Sequence, residues 1–255
     1  MNFLGFEWSI LIPAFIAGIL VLSTHVPLGQ EVLKRGIIFI DLAIAQIAGL
    51  GLIAAHTTDY ELSTMQIQLV ALVSALSGAV FLGWLERHFQ DALEAFIGVI
   101  FILSATGGLL LLAGNPQAGE HLKDILTGQI LWVDNQQLIL LAIVSTIVLI
   151  MRYTLRNSKN NTVFYLIFAV AVTASVQLVG VYLVFSSLII PALATRRIKN
   201  NKKRTVIGFS VGIAGYLLGL LLSDSLDLPS GSIIVWTLAF VGLSVNFVYR
   251  NLPHD

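Results

Sequence analysis

At 255 residues, 57% hydrophobic and only 11% charged, the chain carries too little charge to cover a water-facing surface of its size. Fourteen Lys and Arg balance fourteen Asp and Glu, which gives nucleic acid no electrostatic footing, and the lack of cysteine excludes disulfides and thiolate metal ligands. The class left is an all-α polytopic membrane protein.

The first ten residues hold one glutamate, Glu7, and no lysine or arginine, so they lack the basic region of a cleaved signal and are read as structure. Apolar stretches then predict nine crossings, with eight as the alternative count. They fall near Trp8–Thr24, Gly36–Ala55, Gln66–Leu85, Ala92–Ala113, Gln137–Met151, Thr162–Val176, Val181–Ala194, Thr205–Ser223 and Ser232–Tyr249. The sixth and seventh form a short broken pair within residues 162–195, with Ser175 to Gly180 read as a buried break. A helix reaching Pro191 should break or kink there, leaving Ala192 to Lys199 as a short helical piece at the membrane surface. The long connection from Gly114 to Gln136 has room for a short helix. No boundary divides the chain, so residues 1–255 are read as one transmembrane domain.

Loop charges test this count. Thirteen of the fourteen basic residues fall on one side, and Lys123 alone falls on the other. By the positive-inside rule the C-terminus is cytoplasmic and the N-terminus outside.

Several residues are candidates for chemistry. Asp41 sits just inside the second helix, where a carboxylate is costly and by default faces a pathway or a polar interior; an ion pair with Lys34 or Arg35 is the structural alternative. His56, with Asp59 and Glu61, stands where an incoming cation would first meet the protein, while His25, His88, His121 and His254 are scattered and form no metalloenzyme motif. Gly208-Phe-Ser210-Val-Gly212 matches a hydrolase nucleophile pattern but lies in an apolar helix, so close packing of small residues explains it better. Asp227, in Leu226-Asp-Leu-Pro229-Ser-Gly231, belongs to a turn before the last helix. No Gly-x-x-x-x-Gly-Lys-Ser/Thr loop occurs, so the chain cannot bind ATP in that manner.

Five stretches, in order, resemble one family. They are Ile44-Ala-Gln46-Ile-Ala-Gly-Leu-Gly51, Glu94-Ala-Phe-Ile-Gly98, Leu126-Thr-Gly128-Gln-Ile-Leu131, Gly180 through Leu188-Ile-Ile-Pro191-Ala to Arg196-Arg197, and Leu226 to Gly231. Together they resemble the metal-ion branch of ABC importer permeases, the membrane subunits of zinc, manganese and iron uptake systems. That family usually places histidine four residues after an aspartate, and glycine five after that. Here Gln46 takes the histidine position, Gly51 the glycine, and Leu42 the aspartate, leaving Asp41 displaced by one. Asp41 and Gln46 point about 140° apart on a straight helix, and neutral glutamine is a poorer zinc ligand than imidazole.

The resemblance implies a permease in the bacterial inner membrane, working as a homodimer with a cytoplasmic ATP-binding subunit and an extracytoplasmic solute-binding protein. It implies no enzyme activity and no cofactor in this chain, with ATP on the partner and a divalent transition metal as cargo. Asp41 and Gln46 are then the metal contacts, and His56, Asp59, Glu61 and Asp227 the outer-mouth contacts. Gly180, Pro191, Arg196 and Arg197 would serve coupling to the ATPase. The alternative class is an ATP-independent ion channel or secondary carrier, with Asp41 as an ion relay.

Overall fold

A computed structural model describes residues 7–56, 63–112, 126–155 and 161–251. Among them are nine helices and no strand: α1 (Trp8–Arg35), α2 (Ile40–His56), α3 (Thr64–His88), α4 (Leu93–Leu112), α5 (Asn135–Thr154), α6 (Asn161–Val179), α7 (Val181–Ala194), α8 (Asn201–Leu226) and α9 (Ser230–Asn251). Seven are long and apolar enough to cross a membrane; α2 and α7 are the two shorter apolar ones. The nine-helix count and the all-α class are borne out.

Hydrophobic length and burial sort the helices. The 14 residues of α7 rise only about 21 Å, short of the roughly 30 Å hydrocarbon layer. Such a helix is tolerated where protein, not lipid, surrounds it. Nine of its residues are indeed buried, against α1, α8 and α9. By contrast α3, α4, α5 and α9 turn large apolar side chains outward, as Leu110, Ile139 and Trp236 show. Lipid is the solvent that suits those faces.

Three boundaries differ from the sequence reading. Helix α1 does not stop at Thr24 but runs through Pro27 to Arg35. A proline costs one backbone bond, and the packing of this helix against α7 and α8 outweighs that loss. Gly36, left-handed at φ 73°, ends it, with the Ile37 N–H donating to Val32 O at 3.3 Å. The break between α6 and α7 is one residue, Gly180, rather than the whole of Ser175 to Gly180. Its N–H still donates to Val176 O (2.8 Å), and its carbonyl accepts from the Val184 N–H (3.1 Å), so neither polar group is stranded. Pro191 lies inside α7, which continues to Ala194. Thr195 then bonds back to Pro191 O through its hydroxyl (2.8 Å), and a turn at Thr195–Arg197 replaces the expected surface helix.

Polar caps fix several helix starts. Ser63 with Gln66, and Asp134 with Gln137, form reciprocal capping boxes at α3 and α5, while Asn200 Oδ1 accepts from the N–H groups of Lys202 and Lys203 at α8. Between α8 and α9 the small residues do the packing. A side chain at Gly215 would strike Leu238, and one at Gly219 would strike Ile234, while Thr237 donates to Gly215 O at 2.7 Å. Gly212 of the nucleophile-like pattern faces Leu22, and Ser210 is exposed, its hydroxyl bonded to Val206 O within the helix. Nothing there resembles a strand-to-helix elbow.

Candidate functional site

Two ends of the bundle have different chemistry. At one end basic residues gather: Arg35 Nη1 donates to Asn161 Oδ1 (3.1 Å) and Arg87 to the Thr162 hydroxyl (2.8 Å), and at the same end the neutral Thr205 hydroxyl donates to Gln30 Oε1 (3.0 Å). Glu94, at the start of α4, accepts the Phe39 N–H at 3.3 Å and so tethers the α1–α2 turn. The opposite end is held by backbone contacts. Gln129 N–H donates to Leu178 O at 3.2 Å, and Gly128 lies against Val179 and Gly180. Gly231 abuts the carbonyl of Thr127. Three of the five family-like stretches therefore meet at this second end.

Asp41 lies between these ends, nearer the first, in the opening turn of α2. It is 1% exposed, and neither carboxylate oxygen has a hydrogen bond of good geometry. The ion pair with Lys34 or Arg35 does not form. Arg35 instead pairs with Glu31 (3.0 Å) and stacks 4.2 Å above the Phe164 ring, while Lys34 is exposed. Helix α2 is packed against α3, α4, α6 and α7, so the carboxylate faces protein rather than lipid. A buried carboxylate without partners is expensive, which makes Asp41 the candidate for a polar or cationic contact in this bundle.

Gln46 is also buried, five residues further along α2 and turned about 140° from Asp41. One helix thus presents the two to different neighbours and does not bring them together. His56 ends α2, and Asp59 and Glu61 lie outside the described residues. Asp227 is exposed and left-handed at φ 52°, closing α8, with the Leu228 N–H returning to Ser223 O at 3.1 Å. Among the described residues no group of three or more His, Asp or Glu is placed to hold a metal ion.

The coupling candidates separate as well. Arg196 and Arg197 are exposed in the turn after α7, and Pro191 is buried beneath them. Gly180 stands at the far end of α7, about 21 Å of helix away, so it shares no surface with the arginines.

The sequence reading missed two features. His25, read as the end of the first helix, is mid-helix and fully buried on the α1 face that carries Gly18 and Gly29. Its Nδ1 lies 2.9 Å from Val21 O, and its Nε2 has no partner. The second feature is Tyr165, fully buried in α6, which packs against α3. An apolar run with one tyrosine gives no sign of which way the hydroxyl points.

Comparison with known proteins agrees with this architecture. The family model described as the ABC 3 transport family matches residues 7–158 and 153–248. The high-affinity zinc uptake system membrane protein ZnuB of Buchnera aphidicola subsp. Schizaphis graminum is 27% identical, over 89% of this chain and 94% of its own. ZnuB of Haemophilus influenzae is 24% identical, over 92% and 95%. Among solved structures, PsaBC from Streptococcus pneumoniae in complex with Fab superposes with a TM-score of 0.76 at 22% identity, covering 98% of this chain and 95% of that one. That likeness shows the fold, and the family match shows the lineage. The chain belongs to the ABC 3 transport family, the permease family that its motifs resemble.

Proposed function

We propose that this chain is the membrane-spanning permease of a binding-protein-dependent ABC importer for divalent transition metal ions. One observation supports it most: the buried, unpartnered Asp41 carboxylate on a short helix enclosed by the bundle, within a chain of this family. A lone carboxylate attracts a divalent cation without binding it irreversibly, as passage requires. The zinc uptake named for the two ZnuB relatives supports the class of cargo.

In this reading the basic end faces the cytoplasm, the opposite end receives cargo from a solute-binding protein, and two copies work as a dimer around the pathway. A separate ATPase docks beneath α7, where exposed Arg196 and Arg197 meet it, with Pro191 as support for the turn. Its ATP cycle shifts the helices between outward and inward openings. His56, Asp59 and Glu61 serve as outer contacts, and Asp227 serves the turn that holds α8 to α9. Gln46 lines the pathway as a neutral group.

The test is uptake into proteoliposomes holding this chain and its ATPase, with binding protein outside and zinc, manganese and iron in competition. ATP-dependent accumulation of one metal supports the reading. Metal flux that proceeds without any ATPase would instead favour the channel or carrier class.

A further inference from the structure

The last turn of α7 leads straight into the exposed arginines, so whatever fixes that turn fixes their position. The final carbonyls of a helix have no partner within it, and no glycine follows Ala194 to close this end in a left-handed cap. Side chains do the work instead. Thr195 takes up Pro191 O through its hydroxyl (2.8 Å) and its N–H (3.3 Å). Thr195 and Ile198 are both buried, and the Ile198 N–H donates to Thr195 O at 3.0 Å. Arg196 and Arg197 therefore project from a closed turn.

Leu193 O receives only a long bond, 3.4 Å, from the Arg196 N–H. Its better partner comes from another helix: Asn246 Nδ2, on α9, donates to it at 3.0 Å. Asn246 stands in an apolar stretch, among the outward-facing Leu243, Phe247 and Val248. An amide in such surroundings is costly unless it is bonded. One turn earlier, Gly242 lets the two helices touch, since a side chain there would strike Ile190 and also meet Ala194. Gly242 and Asn246, four residues apart, share one face of α9. Ser244, between them, bonds back to Phe240 O in its own helix.

We propose that Asn246 is a positioning residue for the ATPase contact. It does not meet the partner itself but holds the Leu193 carbonyl, so that displacement of the arginine turn carries α9 with it. Its importance for transport rests on the proposed function, in which Arg196 and Arg197 receive the ATPase. The tie itself belongs to the fold and can be read without transport.

The chain has no cysteine, so Arg196→Cys offers a single site for a nitroxide label on the full chain in nanodiscs. Adding Asn246→Leu, which keeps the bulk and loses the donor, should give a sharper electron paramagnetic resonance spectrum from a more mobile label. Asn246→Gln keeps the amide and should restore a spectrum near that of the singly labelled chain. With Arg196 intact, the same two variants are compared with the parent in proteoliposomes holding ATPase and binding protein. Asn246→Leu should lower the metal delivered per ATP hydrolysed at least about threefold, the weight of one membrane hydrogen bond, and Asn246→Gln should recover most of it. The thermal midpoint should stay within about 3 °C of the parent. A merely structural loss would instead lower the midpoint and reduce uptake and hydrolysis together. Asn246→Ala repeats the comparison without added bulk if leucine disturbs folding. An unchanged spectrum, an unchanged ratio of metal to ATP, or a parallel fall of uptake, hydrolysis and midpoint would each overturn the proposal. A parent that hydrolyses ATP without metal uptake would refute the proposed function. A label freed by Asn246→Leu would then still support the tie, and an unmoved one would overturn it.

Discussion

Gly128 and Gly180 lie backbone against backbone, both with positive φ, 65° and 79°. At ψ 162°, Gly180 occupies a region that only glycine adopts without strain. A side chain on either would drive into the other's main chain. Alanine at either position should therefore cost about 2 kcal/mol or more, from backbone strain and the forced separation together. Thermal denaturation in detergent would show it as a clear drop in midpoint for each variant. Alanine at Gly98, where a side chain meets open space, is the control and should leave the midpoint near that of the parent.

The arginines after α7 carry a different expectation. Arg196 and Arg197 are exposed and face no acidic partner among the described ion pairs. Reversing both to glutamate should leave insertion and thermal stability within about 0.5 kcal/mol of the parent. Transport should fall sharply while ATP hydrolysis by the partner loses its response to binding protein. Normal uptake by the double variant would remove the coupling role of this turn.

Ser210 provides a negative prediction. Its hydroxyl bonds only to its own helix, and the side chain is exposed. Ser210→Ala should leave both stability, within about 0.5 kcal/mol, and uptake unchanged. Loss of activity would revive the nucleophile reading.

The packing of α8 on α9 can be probed at Thr237. Its hydroxyl reaches Gly215 O across the helix pair at 2.7 Å. Thr237→Val keeps the shape and should cost about 0.6 kcal/mol, typical of such bonds in membranes. Gly219→Leu, whose side chain has no space against Ile234, should cost several times more. A comparison of the two denaturation curves separates bond from packing.

What could be read from the sequence followed from hydropathy and from charge. Apolar length located all nine helices among the described residues, because each crossing must satisfy its own backbone. The placement of Arg35, Arg87 and Arg204 at helix ends of one side emerged from loop charge alone. Boundaries at Pro27 and Pro191 were less legible. Proline announces a lost hydrogen bond, but whether a helix continues depends on packing such as that of Gly29 against Leu188, which pairs residues far apart in sequence. Gly180 shows the same limit. Its neighbourhood in the chain linked it to Arg197, whereas its neighbourhood in space is Gly128. Asp41 was legible as a charge inside a helix, but its lack of partners needed the fold. Tyr165 gave no signal, because its burial follows from the packing of α6 against α3, far away in sequence.

The most direct test of the account compares the parent chain with Asp41→Asn in proteoliposomes, measuring metal uptake and binding-protein-stimulated ATP hydrolysis in the same preparation. Asparagine keeps the shape and removes the charge that is proposed to receive the ion. The account predicts that uptake falls at least about tenfold, a loss of roughly 1.4 kcal/mol or more, while stimulated ATP hydrolysis persists. Uptake equal to that of the parent would contradict the claim that cargo passes by Asp41.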